Sequence, residues 1–242
     1  MKVIALIPAR YEASRYPGKL MGLLGDKSVI LTTYLNTVAT NLFDDVYVVT
    51  DSKIIYDEII NHHGNAIMSK NYHSTGSDRI AEACMDLDVD IVVNVQGDEP
   101  FVAKEPLVKL LEPFKDPNVQ VATLMQRLND VNLIKDFNYV KVVVDKNNDV
   151  MYFSRAPIPF NRDNDVETLC YEHIGVYAFK KDMLIEFSQM KPTPNEVIEK
   201  IEPLRLLENG IKIRAIETDY MGLEIDTPED LYKANEYLNN LI

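Results

Sequence analysis

Short apolar runs alternate with longer amphipathic stretches through the first half of the chain. Residues 3–7, 46–49, 91–95 and 119–124 are apolar and rich in β-branched side chains, and each predicts a buried strand. Between them, residues 28–42, 52–62, 77–86 and 105–114 carry the mixed spacing of helices that bury one face. Such alternation implies a parallel sheet with right-handed crossovers. Ligands in these sheets sit beyond the carboxyl ends of the strands, so the residues just after each strand are where chemistry is expected.

The second half has a different rhythm. Residues 140–144 and 150–153 flank Asp145-Lys146-Asn147-Asn148-Asp149, a hairpin-like turn, and residues 174–179 and 211–216 predict further strands. This reads as a mixed-sheet extension of the first half, suited to substrate capture and dimer contact. Two helix starts are legible. Thr193-Pro194-Asn195-Glu196 has a capping threonine, proline in the first turn and glutamate three residues after the cap; Thr227-Pro228-Glu229-Asp230 repeats the layout with aspartate. The first of these helices is expected to run to about Asn209, with Gly210 ending it. Pro203 falls inside that span and predicts a kink, or two abutting helices, near Lys200 to Glu202. No Ser/Gly linker interrupts the chain. The expected organisation is one continuous domain over 1–242, in parts of about 1–130, about 131–220 and 221–242.

Charge narrows the partners. The 242 residues hold 25 Lys plus Arg against 38 Asp plus Glu, a formal −13 at pH 7. That surface repels nucleic acid and anionic membranes, so an anionic ligand needs a local basic cluster. No apolar run approaches the length of a membrane span. The opening run ends in Pro8-Ala9-Arg10 with no small-residue cleavage site, so it reads as a strand and not a signal peptide. The two cysteines, Cys84 and Cys170, form no metal pattern, which suits a reduced cytoplasmic setting.

The first strand empties into such a cluster. Arg10, Arg15 and Lys19 fall within ten residues, with Ser14 and a Pro17-Gly18 turn among them. Fixed cations and converging N–H groups are what phosphate recognition needs, although three cations in a surface loop can also simply be solvated. The segment is neither a Walker loop nor the glycine-rich dinucleotide fingerprint. The third strand empties into Gln96-Gly97-Asp98-Glu99-Pro100, and Leu223-Glu224-Ile225-Asp226 places a second aspartate at a strand end. Asp98 reads either as a Mg²⁺ ligand or as a turn aspartate bonding its own backbone, and Asp226 either as a ligand or as a carboxylate facing a helix N-terminus. Together with the basic loop they suit metal-assisted transfer at a nucleotide phosphate. His73-Ser74-Thr75-Gly76-Ser77-Asp78-Arg79 opens a helix and offers either a wrap for base or ribose or plain N-capping.

In this combination and order the motifs resemble the 3-deoxy-D-manno-octulosonate (Kdo) cytidylyltransferases, also called CMP-Kdo synthetases. The carrying segments are Ile7-Pro8-Ala9-Arg10-Tyr11, Ser14-Arg15-Tyr16-Pro17-Gly18-Lys19, Asn94-Val95-Gln96-Gly97-Asp98-Glu99-Pro100, Val140-Lys141-Val142-Val143, Tyr152-Phe153-Ser154-Arg155, His173-Ile174-Gly175-Val176-Tyr177 and Asp226-Thr227-Pro228-Glu229-Asp230-Leu231. The resemblance implies an α/β nucleotide-diphospho-sugar transferase-like fold: a Rossmann-like, mostly parallel sheet with a mixed-sheet extension. It implies a cytoplasmic homodimer that moves CMP from CTP to the anomeric hydroxyl of an eight-carbon sugar acid. Pyrophosphate is released, and the product serves lipopolysaccharide synthesis.

Carried onto this chain, the resemblance puts Arg10, Ser14 and Lys19 on the CTP phosphates and Gln96 between nucleotide and sugar. Asp98 and Asp226 become Mg²⁺ ligands, and Lys19, Asp98 and Asp226 the catalytic set. Arg155, His173, Tyr177 and Glu202 fall to the sugar acid, while His73, Ser77, Asp78 and Arg79 help enclose the nucleotide. Three segments depart from the family. Thr75-Gly76-Ser77-Asp78-Arg79 replaces the usual Ser-Gly-Thr-Glu-Arg with similar chemistry. Residues 221–225 differ from the usual glycine-rich run. Pro203 stands where a glutamine is common, removing a side-chain donor and acceptor, so an octulosonate with an amino group at C8 is the leading variant substrate, with Glu199 and Glu202 as an acidic neighbourhood for an ammonium. The competing functions are a cytidylyltransferase for a nine-carbon sialic-acid-like sugar and a non-catalytic CTP-binding module.

Overall fold

The apolar runs become strands where two faces are buried at once. A computed structural model of the chain describes residues 1–12, 16–73, 75–163, 169–219 and 222–240. Two compact units are present: Met1–Glu105 with Lys180–Ser188 and Met221–Ile242, and Pro106–Phe179 with Gln189–Tyr220. Among the described residues no helix is long and apolar enough to cross a membrane.

In the first unit β1 (Val3–Ala9) is the keystone, with Ala5, Leu6 and Ile7 fully buried. A two-stranded ribbon, β2 (Leu23–Leu24) and β3 (Lys27–Ser28), precedes the helix Val29–Ala39. There follow β4 (Asp45–Thr50), β5 (Ala66–Met68) and β6 (Ile91–Asn94). β1 pairs in parallel with β4 on one side and β6 on the other, and β5 adds to β4. The order is therefore β6-β1-β4-β5, and the carboxyl ends of β1 and β6 are neighbours. β5 lies outside the predicted strands, being only three residues long and not fully buried.

Helix Val29–Ala39 starts where the Ser28 hydroxyl accepts from the Leu31 amide at 3.2 Å. It also clamps the loop after β6: Thr33 Oγ1 donates to the Gly97 carbonyl at 2.9 Å and Asn36 Nδ2 to that of Pro100 at 2.6 Å. A β-carbon at Gly97 would come within 3.0 Å of the Pro8 carbonyl and 3.2 Å of Ile30, so only glycine lets this loop lie against the end of β1.

The second unit holds β7 (Val121–Arg127), β8 (Lys141–Val144), β9 (Val150–Ser154), β10 (Tyr171–Lys180) and β11 (Arg214–Glu217). β11 joins β7 in parallel, while β10 meets β7 and β8 antiparallel and β8 meets β9 antiparallel. This is the mixed sheet that the second half of the sequence implies. The Asp145 carboxylate shapes the β8–β9 turn by accepting from the amides of Asn147 (2.7 Å) and Asp149 (2.9 Å). The last predicted strand begins later than expected, at Arg214, and its edge is fixed by Asp149, which accepts from Arg214 Nε at 2.8 Å and Lys212 Nζ at 2.9 Å.

The helix expected from Pro194 to Asn209 is two helices, Pro194–Glu199 and Leu204–Glu208. Lys200 ends the first in a left-handed conformation with φ 56°, and Pro203 precedes the second, where a missing N–H costs nothing. The predicted capping box is present, with Thr193 and Glu196 bonding reciprocally.

Candidate active site

At the carboxyl end of β1 the chain passes Arg10, which is exposed. Ser14 and Arg15 lie outside the described residues. Gly18 then turns with φ 73°, its amide donating to the Tyr11 carbonyl at 2.9 Å. The turn starts a short 3₁₀ helix and commits Lys19 inward. Lys19 Nζ donates to Asp98 Oδ2 at 2.6 Å and to Asp226 Oδ1 at 2.7 Å. Asp98 and Asp226 lie 79 and 207 positions from Lys19 in the sequence. Burial works against the ammonium, but the two carboxylates more than offset it, and the Lys19 pKa is raised above its ordinary value.

Asp226 is delivered by a second route, and not from the expected strand end, because residues 222–226 form no strand. The Ile225 amide donates to the Asp98 carbonyl at 3.0 Å, which lays residues 222–226 alongside the loop after β6. The helix Pro228–Asn240 follows at once, and Asp230 Oδ2 accepts from Thr227 Oγ1 at 2.8 Å and the Thr227 amide at 2.9 Å. The aspartate variant of the capping box thus holds the backbone next to Asp226.

A third carboxylate, which the sequence reading left without a role, joins the pair. One ligand oxygen from each of Asp98, Glu224 and Asp226 lies within 4.8 Å of the others. Glu224 and Asp226 are two positions apart, and that pairing of carboxylates was the available signal. The Glu224 side chain is exposed as a whole, yet its carboxyl group is lifted to about 7 by lost hydration and by the charges of Asp98 and Asp226. The neighbouring Glu99 is lifted to about 8, by burial first and then by Asp98 and Glu224. Hard oxygen donors crowded around one cation are the donor set that Mg²⁺ accepts, so the residues fit that ion.

The segment predicted to wrap the nucleotide is a helix start. Thr75 caps the helix Gly76–Cys84 by accepting from the Asp78 amide at 3.1 Å, and Ser77 is buried in its first turn. Arg79, 3% exposed, donates to the Ala9 carbonyl at 2.9 Å and pairs with Asp51 through Nη1 (2.8 Å) and Nη2 (2.9 Å). It therefore braces the carboxyl end of β1. His73 Nε2 stands 3.1 Å from Glu82. Gln96 is half-buried on the loop after β6.

In the second unit the residues assigned to a sugar acid gather around β9, β10 and the helix break. Arg155 Nε donates to the Glu199 carbonyl (2.6 Å), Nη1 to that of Phe137 (2.9 Å) and Nη2 to that of Lys200 (3.3 Å). The Glu199 carboxylate accepts from Ser154 Oγ at 2.8 Å and the Arg155 amide at 2.9 Å. Among the described residues, the guanidinium donates to neutral carbonyls.

β10 carries a bulge between Ile174 and Tyr177, where Thr123 Oγ1 bonds the carbonyls of Ile174 (3.1 Å) and Val176 (3.0 Å). The shortened path lets Tyr177 Oη reach His173 Nε2 at 2.6 Å across four residues, about 13 Å in a regular strand. Burial against Phe153, edge-on at 4.8 Å, keeps His173 neutral with its pKa down to about 3. Burial raises the Tyr177 phenol, with a smaller contribution from the charge of Glu202. Glu202 is half-buried, 3.9 Å from Arg205. Pro203 sits beside it at the helix start.

Comparison with known proteins extends over the whole chain. Residues 4–213 match the sequence profile of the family described as cytidylyltransferase. The chain is 50% identical over 244 residues to the 3-deoxy-manno-octulosonate cytidylyltransferase of Flavobacterium johnsoniae, with 100% of each chain covered. It is also 50% identical to the protein of the same name from Christiangramia forsetii, covering 98% of this chain and 97% of that one. A solved CMP:2-keto-3-deoxy-manno-octonic acid synthetase in complex with CTP superposes with TM-score 0.95 at 34% identity, covering 100% of both chains. At 19% identity and TM-score 0.64, 4-diphosphocytidyl-2C-methyl-D-erythritol synthase of Anaerococcus prevotii shares the fold.

Proposed function

The chain belongs to the cytidylyltransferases, and from that membership we propose that it transfers CMP from CTP to the anomeric hydroxyl of Kdo, releasing pyrophosphate. Its product serves lipopolysaccharide assembly, and the reading includes a cytoplasmic homodimer. The observation that carries the chemistry is the Lys19 ammonium held 2.6 Å from Asp98 and 2.7 Å from Asp226. It joins the end of β1, the end of β6 and the approach to the last helix at a single charged centre.

In an in-line transfer the C2 hydroxyl oxygen bonds the α-phosphorus of CTP as its proton is lost to solvent water, the bond from that phosphorus to the bridging oxygen breaks, and pyrophosphate leaves. Lys19 stays protonated, because its raised pKa forbids proton loss near neutrality, and it offsets the charge that grows on the phosphates. Arg10 and Ser14 assist on the triphosphate. Asp98 and Asp226 would hold Mg²⁺, which when bound supplies Lewis acidity at phosphate oxygens. Arg155 takes the sugar carboxylate, and the neutral His173–Tyr177 pair offers hydrogen bonds to its hydroxyls. The positioning of these groups, and not a dedicated protein base, supplies the rate.

The test is pyrophosphate release with CTP and Mg²⁺ in parallel arms containing Kdo, 8-amino-Kdo or a nine-carbon sialic acid. Kdo is expected to give the highest initial rate. CTP binding without release in any arm would leave a binding module and end the enzyme reading.

A further inference from the structure

Resting on the reading above, we propose that Glu224 is a third carboxylate ligand of the divalent cation, giving this chain a seat that captures the ion before the nucleotide arrives. The oxygens of Asp98, Glu224 and Asp226 lie within 4.8 Å of one another, a spread that one ion can span. Backbone pairing places Glu224 there: the Ile225 amide is bonded to the Asp98 carbonyl at 3.0 Å, so the side chains on either side of Ile225 both reach the loop after β6.

A cation already occupies the middle of this group. Lys19 Nζ sits between Asp98 and Asp226, its side chain 13% exposed, which shows the cluster to be shaped around a positive charge. Three carboxyl groups gathered at one point supply oxygen donors suited to a divalent ion. Glu224 is the exposed member, so a hydrated ion meets it first and keeps room for water and phosphate oxygens. A two-carboxylate seat shared with lysine depends on nucleotide phosphates to complete it. The third carboxylate lessens that dependence.

Mn²⁺ binding to the full chain without nucleotide, followed by electron paramagnetic resonance and by calorimetry, reads this directly. The unaltered chain is expected to bind the ion in the absence of CTP. Glu224→Gln should weaken that binding by roughly tenfold, because ligand charge sets affinity at oxygen sites. Glu224→Ala should do the same, with melting temperatures in chelator no lower than those of the unaltered chain, because it removes a carboxyl group crowded against Asp98 and Asp226. In saturating CTP the difference should shrink. Asp98→Asn and Asp226→Asn serve as references. If they weaken Mn²⁺ binding and both Glu224 variants bind like the unaltered chain, the Glu224 assignment is overturned while the two-aspartate site stands. If no carboxylate variant alters Mn²⁺ binding, the metal reading itself fails.

Discussion

Lys19 donates to two carboxylates at once, so neutralising one of them leaves the ammonium paired with the other. Asp98→Asn and Asp226→Asn are therefore expected to fold, by circular dichroism and melting, yet to lose turnover by about a hundredfold or more, since in the proposed reaction they hold the cation that offsets charge at the reacting phosphate. Retention of most activity in both would remove them from the catalytic set. His173 makes a prediction of the opposite kind. Its folded pKa of about 3 lies below the ordinary 6.5, so the unfolded chain binds the extra proton. Stability attributable to this residue is complete above about pH 6.5 and is lost as pH falls from there toward 3, by no more than about 1.4 kcal/mol per pH unit. Urea midpoints of the unaltered chain and His173→Gln across that window should converge as pH falls; parallel curves would show that the imidazole is not held neutral. The sequence named His173 and Tyr177 but gave no sign that they touch, because the contact depends on a bulge fixed by Thr123 from another strand.

At the scale of the element, the break between Pro194–Glu199 and Leu204–Glu208 was legible from Pro203, and so was the capping box at Thr193. Both depend on residues a few positions apart. What was not legible is the anchor of the break. Arg205, 4% exposed, grips Glu196 through Nε (2.9 Å) and Nη2 (2.5 Å), so the capping glutamate of the first helix is also the partner of the second. Glu196→Ala removes a cap and strands a buried guanidinium, and is expected to cost about 3 kcal/mol or more in urea unfolding. A loss below about 1 kcal/mol, the value for a cap alone, would show that the pair contributes little. Pro203→Gln should change stability by less than about 1 kcal/mol, because the left-handed Lys200 already ends the first helix. The same variant asks whether a glutamine here shifts the Kdo to 8-amino-Kdo rate ratio.

For the molecule as a whole, the −13 charge is a source of self-repulsion that screening relieves. Raising sodium chloride from about 20 to about 200 mM should raise the melting temperature in chelator; a fall would mean that ion pairs such as Arg79 with Asp51 outweigh the net charge. Strand–helix alternation announced the parallel sheet of the first unit, since each strand is a local pattern. Strand order was not announced, because β6 beside β1 and β11 beside β7 are pairings made at long range. The site shows the same division. Lys19 and Asp98 were readable in the segments after β1 and β6, whereas the strand expected before Asp226 does not form and Glu224 acquired meaning only when residues 222–226 were seen alongside Asp98.

The lysine lodged among those acids has a consequence for supply. A protein that carries its own counter-ion need not be propped up by a metal from outside. On the proposed Mg²⁺ reading, magnesium starvation is then expected to idle the catalyst without dismantling it: the folded stock waits for the ion to return.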